Sequence, residues 1–248
     1  MKHIKNDKTK VFLCFIFFYF AVMFFSDICF AQAVIAFGDS LTEGCGEPDL
    51  PYWGECGWEN RSYTYPMWLE AFFADENQEV TVNNFGKGGE TTTEAVNRLT
   101  EVLNQPCNAA VDYVLLLHGT NDLFHHTDPG VVYFNLAVMI DIVRAKGKEP
   151  LLATITPDPD HPWKEIETTN SYIRSLASEK GVSLVDLYSD LAPYWYWYTN
   201  PAGCYLDQLH PNTDGFYAIA GLWHKSLSGM IKKPSMPWLM LLLKPPLK

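Results

Sequence analysis

The chain has 248 residues, of which 48% are hydrophobic and 19% are charged, proportions typical of a globular protein and not of a disordered chain. Between residues 32 and 231 it carries 10 basic and 27 acidic side chains, a formal charge of -17. So acidic a surface repels phosphate backbones, which excludes nucleic acid as an expected partner and disfavours anionic membranes.

The first 31 residues have the pattern of a secretory signal peptide. Lysines precede an apolar run from Val11 to Phe25, and Ala31 offers a cleavage point before Gln32. The run is shorter than the ~20 residues that cross a bilayer comfortably, so no stable membrane span is expected in the mature form. We therefore predict a secreted or periplasmic protein, with an uncleaved N-terminal anchor as the alternative.

Apolar runs with the length of buried strands alternate with helical patterns from residue 33 to residue 227. The predicted strands are Ala33–Phe37, Val80–Asn84, Tyr113–His118, Pro150–Ile155 and Ser183–Asp186. The predicted helices are Tyr65–Ala74, Thr92–Leu103, Val131–Lys146, Glu165–Lys180 and Asp214–Leu227. Gly147 and Gly181 stand where C-terminal helix caps are expected. This alternation predicts an α/β fold in which helices cover both faces of a five-stranded parallel sheet.

Polar segments follow the first, second, third and fifth predicted strands. They read Gly38-Asp39-Ser40-Leu41, Gly86-Lys87-Gly88-Gly89, Gly119-Thr120-Asn121-Asp122 and Asp207-Gln208-Leu209-His210. Because ligands bind beyond the carboxyl ends of parallel strands, we expect these segments to converge on one site.

The side chains in these segments match the steps of acyl transfer. Ser40 is a weak nucleophile that requires a base, which His210 can supply, and Asp207 lies near enough in sequence to orient the imidazole. The N–H groups of Ser40 and Gly89 and the side-chain amide of Asn121 are candidate donors to the oxyanion of the transition state. No Cys/His cluster has the spacing of a zinc site, and this chemistry requires no cofactor.

The four segments, in this order, resemble the motif blocks of the GDSL lipases and esterases, also called SGNH hydrolases. The resemblance covers about residues 33–227. It implies a flavodoxin-like three-layer α/β/α sandwich. It also implies that Ser40, His210 and Asp207 form a catalytic triad, and that Ser40, Gly89 and Asn121 form the oxyanion hole.

The second block departs from the family pattern. It contains a bulky Phe85 and a charged Lys87 in a turn that is normally small and neutral. Gly89 is the preferred donor because it directly precedes Glu90, and Gly86 is the less favoured alternative. The elbow motif G-x-S-x-G of the larger α/β-hydrolase class is absent, since position 42 is Thr.

Cysteines and histidines outside the four blocks suggest structural roles. Cys45, Cys56, Cys107 and Cys204 follow the predicted leader, and a Cys45–Cys56 disulfide is the first expectation among the three pairings that four cysteines allow. His125 and His126 are expected to form an exposed loop pair. His118 is expected to make a hydrogen bond within the core.

Two aromatic-rich stretches, Tyr52–Trp68 and Tyr194–Tyr198, flank the motif blocks. Their rings either pack against their own domain or form a platform that stacks on a sugar or lines an acyl pocket, and the sequence leaves both open. The expected function is hydrolysis of short-chain carboxylic esters, acetyl groups on carbohydrate among them. Lysophospholipase or thioesterase activity is the nearest alternative, and a non-catalytic carbohydrate-binding module is the rival of another class.

The predicted organisation is therefore a signal peptide (1–31), one hydrolase domain (32–230) and a C-terminal tail (231–248). The tail contains the apolar stretch Pro237–Leu243, which is too short to span a membrane. The sequence leaves open whether the tail is disordered or contacts a surface. Partners are limited to a small-molecule, glycan or lipid ester substrate.

Overall fold

A computed structural model describes residues 32–44, 64–159, 163–199 and 208–231, apart from the side chain of Trp163. The predicted signal peptide, the tail from residue 232 onward, the Cys45–Cys56 pair and Asp207 lie outside these ranges. The predicted domain boundaries and disulfide therefore stay predictions.

Five parallel strands form a single sheet in the order β2-β1-β3-β4-β5. They are β1 Gln32–Gly38, β2 Val80–Gly86, β3 Val111–Leu117, β4 Glu149–Ala153 and β5 Ser183–Val185. Each lies within two residues of its predicted bounds. In the register of the sheet Phe37 of β1 pairs with Phe85 of β2 and Leu116 of β3, so these three strands end at the same level. The chain adds β2 on one side of β1 and then β3 on the other side. In such folds ligands bind in the crevice at this change of strand order.

Nine helices accompany the sheet in the described ranges, besides two short 3₁₀ turns. They are α1 Ser40–Glu43, α2 Tyr65–Asp75, α3 Thr92–Leu103, α4 Thr120–Phe124, α5 Pro129–Ala145, α6 Trp163–Lys180, α7 Leu187–Leu191, α8 Trp195–Thr199 and α9 Thr213–Leu227. The five long helices match the predicted ones within two residues. The four short helices were not predicted, because four or five residues are too few to show a helical period. None of the helices seen is both long and apolar enough to cross a membrane.

Alternate residues of each strand enter two separate hydrophobic cores, as expected for a sheet covered on both faces. Ile35 and Phe37 of β1 pack with α3, α5 and α6. Val34 and Ala36 point the other way and pack with α2 and α9. All four side chains are fully buried. The structure thus confirms the three-layer α/β/α sandwich with a five-stranded parallel sheet.

Local signals in the sequence fix where the long helices begin and end. Thr91 and Glu94 form a capping box at the start of α3, each accepting a hydrogen bond from the other's backbone. Gly147 and Gly181 follow α5 and α6 with φ of 72° and 59°, so both predicted caps are confirmed. These boundaries direct the chain into β4 and β5 without long loops.

Candidate active site

Ser40 lies at the carboxyl end of β1, at the first position of α1. Asp39 caps this short helix, and its Oδ1 accepts a 3.0 Å hydrogen bond from the N–H of Leu41. Asp39 is fully buried, whereas Ser40 is half-buried. The cap therefore fixes the turn while leaving the serine hydroxyl accessible.

His210 Nε2 lies 2.9 Å from Ser40 Oγ, although the two residues are 170 positions apart. The histidine belongs to the loop that leads into α9, and α8 holds this loop in place. The indole Nε1 of Trp195 donates to the carbonyl of Gln208 at 2.8 Å. Asn212 donates through its backbone N–H and its side chain to two carbonyls of α8, at 2.6 and 2.9 Å. The structure thus brings together the predicted nucleophile and base, and Asp207 lies outside the described residues.

The predicted oxyanion donors follow the carboxyl ends of β1, β2 and β3: Ser40 begins α1, Gly89 lies in the turn before α3, and Asn121 lies in α4. Within the described part of the chain, nothing accepts a hydrogen bond from the N–H of Ser40 or of Gly89. Asn121 Nδ2 donates one hydrogen bond of 3.0 Å to the carbonyl of Glu90, which leaves its second N–H for another acceptor. The Gly89 turn is near the nucleophile, because a Cβ built on Gly88 would lie 3.9 Å from Ser40 Cβ.

Gly86 and Gly89 are glycines for different structural reasons. Gly86 is buried and its N–H donates to Asn84 Oδ1 at 2.9 Å. A Cβ on Gly86 would lie 1.9 Å from the backbone nitrogen of Glu43, so this glycine allows β2 and α1 to approach. Gly89 is exposed, has φ of 75°, and a Cβ there would meet nothing within 4 Å. Gly89 therefore fits the donor role better than Gly86.

A buried charge cluster behind the Gly89 turn was missed at the level of sequence. The Glu90 carboxylate has no exposed surface. Arg98 Nε donates to its Oε1 at 2.6 Å, Arg98 Nη2 contacts its Oε2, and His118 Nε2 lies 3.1 Å from Oε2. Burial alone would raise the pKa of the Glu90 carboxyl, but hydrogen bonds from His118 and Arg98 outweigh it and lower the pKa to about 2. One sequence signal was present, since Arg98 follows Glu90 by about two helical turns.

Arg98 also joins this cluster to the strand carrying the nucleophile. Its Nη1 donates to the carbonyl of Phe85 at 3.0 Å, and its Nη2 donates to the carbonyl of Gly38 at 3.3 Å. The guanidinium lies 4.2 Å from the centroid of the Phe37 ring, in cation–π geometry. One side chain thus binds the ends of β1 and β2 together.

Asp39 is a second buried carboxyl beside the site. Burial raises its pKa to about 6, against the opposing effects of His118, the Leu41 N–H and His210. Asp39 Oδ2 has no hydrogen-bond partner among the described residues. The buried charge is therefore costly, and the carboxyl takes up a proton more readily than an exposed aspartate.

Asp122 joins the first turn of α4 to the start of α3. Its carboxylate accepts hydrogen bonds from the backbone N–H and the hydroxyl of Thr92, at 2.8 and 2.7 Å. Thr92 begins α3, so α4, which carries Asn121, is fixed against the start of this helix. The Asp122 carboxylate thus supports the first turn of α4, and each of its oxygens accepts a hydrogen bond from Thr92.

His118, His125 and His126 lie where the sequence predicts. His118 is buried with its ring 5.0 Å from that of Phe37, and it makes its hydrogen bond within the core to Glu90. His125 and His126 are both exposed. In the ranges that the structure describes, no group of three His, Cys, Asp or Glu side chains could hold a metal ion.

The two aromatic stretches have different surroundings. In the described part of the first, Tyr65 is fully buried and the ring of Trp68 packs edge-on against Tyr217, so these rings pack within the domain. In the second, Trp195 is buried, whereas Tyr196 and Trp197 are 64% and 67% exposed. These two rings, the α8 aromatic pair, project from the helix that anchors the His210 loop.

Comparison with known proteins places this geometry in a family. The model of the GDSL-like Lipase/Acylhydrolase family matches residues 36–218. An arylesterase of Vibrio mimicus is 26% identical over 196 residues, which cover 78% of this chain and 88% of that protein.

Solved structures share the fold of this chain. A lipase/acylhydrolase from Enterococcus faecalis has a TM-score of 0.64 at 20% identity, covering 83% of this chain and all of that one. An acetyl xylan esterase has a TM-score of 0.61 at 22% identity, covering 80% of this chain and all of that one. The chain therefore belongs to the GDSL-like lipase/acylhydrolase family and is, as its sequence predicts, a carboxylic ester hydrolase of this type.

Proposed function

We propose that the chain is an exported serine esterase that hydrolyses short-chain carboxylic esters through an acyl-enzyme. Ser40 is the nucleophile, His210 is the general base, and Asp207 orients the imidazole. The observation that carries the proposal is the 2.9 Å contact between Ser40 Oγ and His210 Nε2. A serine hydroxyl becomes an effective nucleophile when an imidazole within hydrogen-bond reach takes its proton.

Acylation begins when His210 Nε2 takes the hydroxyl proton of Ser40. The Oγ–C bond forms, and the carbonyl electrons move onto oxygen to give a tetrahedral oxyanion. The oxyanion collapses, the bond to the alkoxy oxygen breaks, and the imidazolium of His210 returns the proton to the leaving alcohol. In deacylation His210 takes a proton from water, the hydroxide adds to the acyl carbon, and the carboxylic acid leaves as Ser40 regains its proton.

The oxyanion is stabilised by the N–H groups of Ser40 and Gly89 and by the Asn121 amide. Among the described residues, the N–H groups of Ser40 and Gly89 and the second N–H of Asn121 have no acceptor, which supports this assignment. Removal of one such donor typically costs about 10²–10³ in kcat.

Acetyl groups on carbohydrate are the substrates that we favour. Tyr196 and Trp197 are exposed on the helix bonded to the His210 loop, and aromatic rings stack on sugar rings. The acidic body of the chain disfavours anionic lipid surfaces. The similarity of fold to an acetyl xylan esterase is consistent with this choice.

Export through the predicted signal peptide, residues 1–31, is part of the proposal. N-terminal sequencing of the protein purified from its host tests it, with a start at Gln32 expected. A start at Met1 would favour the uncleaved anchor.

Labelling with a fluorophosphonate probe tests the nucleophile. The wild-type protein should be modified at Ser40, whereas Ser40→Ala and the native protein pretreated with unlabelled probe should not react. Labelling of Ser40→Ala to the same extent would contradict the proposal.

A series of p-nitrophenyl esters of increasing acyl length tests the substrate class. Acetate and butyrate should have the highest kcat/KM, and a maximum at long acyl chains would favour the lysophospholipase or thioesterase alternative.

The variant Trp197→Ala tests the contact with sugar. It should lower kcat/KM on acetylated xylo-oligosaccharides by about 5- to 30-fold, because an aromatic contact contributes about 1–2 kcal/mol, and on p-nitrophenyl acetate by much less. Binding of the sugar without hydrolysis of any ester would support the non-catalytic module.

A further inference from the structure

We propose that Glu90 is the positioning residue of the oxyanion hole and that Arg98 and His118 hold it in register with the nucleophile. The inference rests on the proposed function, since it assumes that Gly89 and Asn121 act on the oxyanion. It assigns a role to a buried side chain that the reaction itself does not use.

The backbone of Glu90 makes hydrogen bonds that position two of the proposed oxyanion donors, the Gly89 N–H and the Asn121 amide. Its carbonyl accepts the 3.0 Å hydrogen bond from Asn121 Nδ2 and so sets the orientation of that amide. Its N–H donates to the carbonyl of Lys87 at 3.2 Å, which closes the turn containing Gly89. A displacement of Glu90 therefore moves the Gly89 N–H and the Asn121 amide together.

The side chain of Glu90 fixes that backbone in place. Its carboxylate is wholly buried and is held by two nitrogens of Arg98 and by His118 Nε2. A buried carboxylate paired with a guanidinium is bound strongly to one geometry, because the interaction is charge-assisted and little water competes for it. The charge of Glu90, and not only its size, is what keeps the turn in this position.

Arg98 transfers this constraint to the nucleophile. While bound to Glu90, its guanidinium also donates to the carbonyls of Gly38 and Phe85. Gly38 is two residues before Ser40. Arg98 therefore contacts both Glu90, next to the Gly89 turn, and the end of β1 that leads to Ser40. The distance between attacking oxygen and oxyanion donors is in this way set by Glu90 and Arg98.

The variant Glu90→Gln tests the inference, since it keeps the side-chain volume and removes the charge. We expect kcat on p-nitrophenyl acetate to fall about 10- to 100-fold, less than for outright loss of a donor, with KM changed less than about twofold. The matched control is Glu94→Gln, four residues along the same segment. Glu94 accepts from the N–H and hydroxyl of Thr91 at 2.9 Å in the exposed capping box, so its loss should lower Tm and leave kcat unchanged.

A readout specific to the oxyanion separates positioning from general destabilisation. Sulfur accepts hydrogen bonds less well than oxygen, so an aligned hole favours p-nitrophenyl acetate over p-nitrophenyl thionoacetate. The ratio of the two kcat/KM values should fall at least about fivefold in Glu90→Gln, as expected when donor alignment is lost. It should stay at the wild-type value in Glu94→Gln.

Two further variants keep the test decisive if Glu90→Gln does not fold. Arg98→Lys retains the positive charge but loses the fork that binds Glu90 and two carbonyls at once, and His118→Gln retains the negative charge of Glu90. Both should lower the oxygen-to-sulfur ratio in folded protein. An unchanged ratio in every folded variant would overturn the inference, whereas wild-type protein with no esterase activity or no labelling at Ser40 would instead overturn the proposed function.

Discussion

The indole Nε1 of Trp195 donates a 2.8 Å hydrogen bond to the backbone carbonyl of Gln208, two residues before His210. The aromatic helix α8 thereby holds the loop that carries the proposed base. Trp195 itself is buried, whereas its neighbours Tyr196 and Trp197 are exposed. The helix α8 thus both anchors the His210 loop and exposes two aromatic rings beside it.

Loss of this anchor should weaken catalysis as well as the fold. Trp195→Phe keeps a buried ring but leaves the Gln208 carbonyl without its donor, which should cost about 1 kcal/mol of the free energy of unfolding. Because the His210 loop loses one support, kcat on p-nitrophenyl acetate should fall about 3- to 10-fold. Trp68→Phe is the control, since Trp68 Nε1 has no hydrogen-bond partner among the described residues. Equal kcat in the two variants would show that the anchor does not support catalysis.

Substitution of the proposed triad should remove activity without unfolding the protein. Ser40→Ala and His210→Ala should each lower kcat by roughly 10³-fold or more, and Asp207→Ala should cost less, because it only orients the base. Ser40 and His210 are half-buried at the edge of the sheet, so Tm should change little. Steady-state kinetics and thermal unfolding of the three variants check this, and full activity of His210→Ala would rule out this residue as the base.

Gly89→Ala separates backbone strain from catalysis. A residue with a Cβ in the left-handed region costs about 1–2 kcal/mol, and Gly89 has φ of 75° with open space around it. Gly181→Ala is matched in strain, with φ of 59° and equally open space, but it lies at the end of α6. Urea unfolding should show similar losses of stability in both variants. Only Gly89→Ala should lower kcat, because its methyl group crowds the N–H donor, and a similar loss in Gly181→Ala would contradict this.

The buried Asp39 should make the wild-type protein less stable as the pH rises from about 4 to 7. The pKa of Asp39 is about 6 in the folded protein against an ordinary value of 3.8. Between these values the folded state retains a proton that the unfolded state has released, so the free energy of unfolding falls with rising pH. Asp39→Asn keeps an oxygen to accept from Leu41 and cannot ionise. Its stability relative to wild type, measured by urea unfolding, should therefore increase across this range, and a constant difference would contradict the raised pKa.

The sequence by itself determined the layered fold and the order of its parts. Apolar runs and helical periods are local properties, so the strands and long helices were placed within two residues, and two helix ends followed from Gly147 and Gly181. The four motif segments could be assigned to one edge of the sheet, because parallel strands end on the same side. Their residue types were sufficient to predict a carboxylic ester hydrolase.

Only the tertiary structure decided how those segments meet. The contact of Ser40 with His210 spans 170 residues and depends on how α8 holds the His210 loop, which no local pattern encodes. Glu90 reads in sequence as one more acidic residue of an acidic chain, and its burial between Arg98 and His118 is visible only once β1, β2 and β3 lie side by side. The physical reason is that burial and pairing of charge depend on contacts between distant segments, whereas periodicity depends on neighbours in the chain.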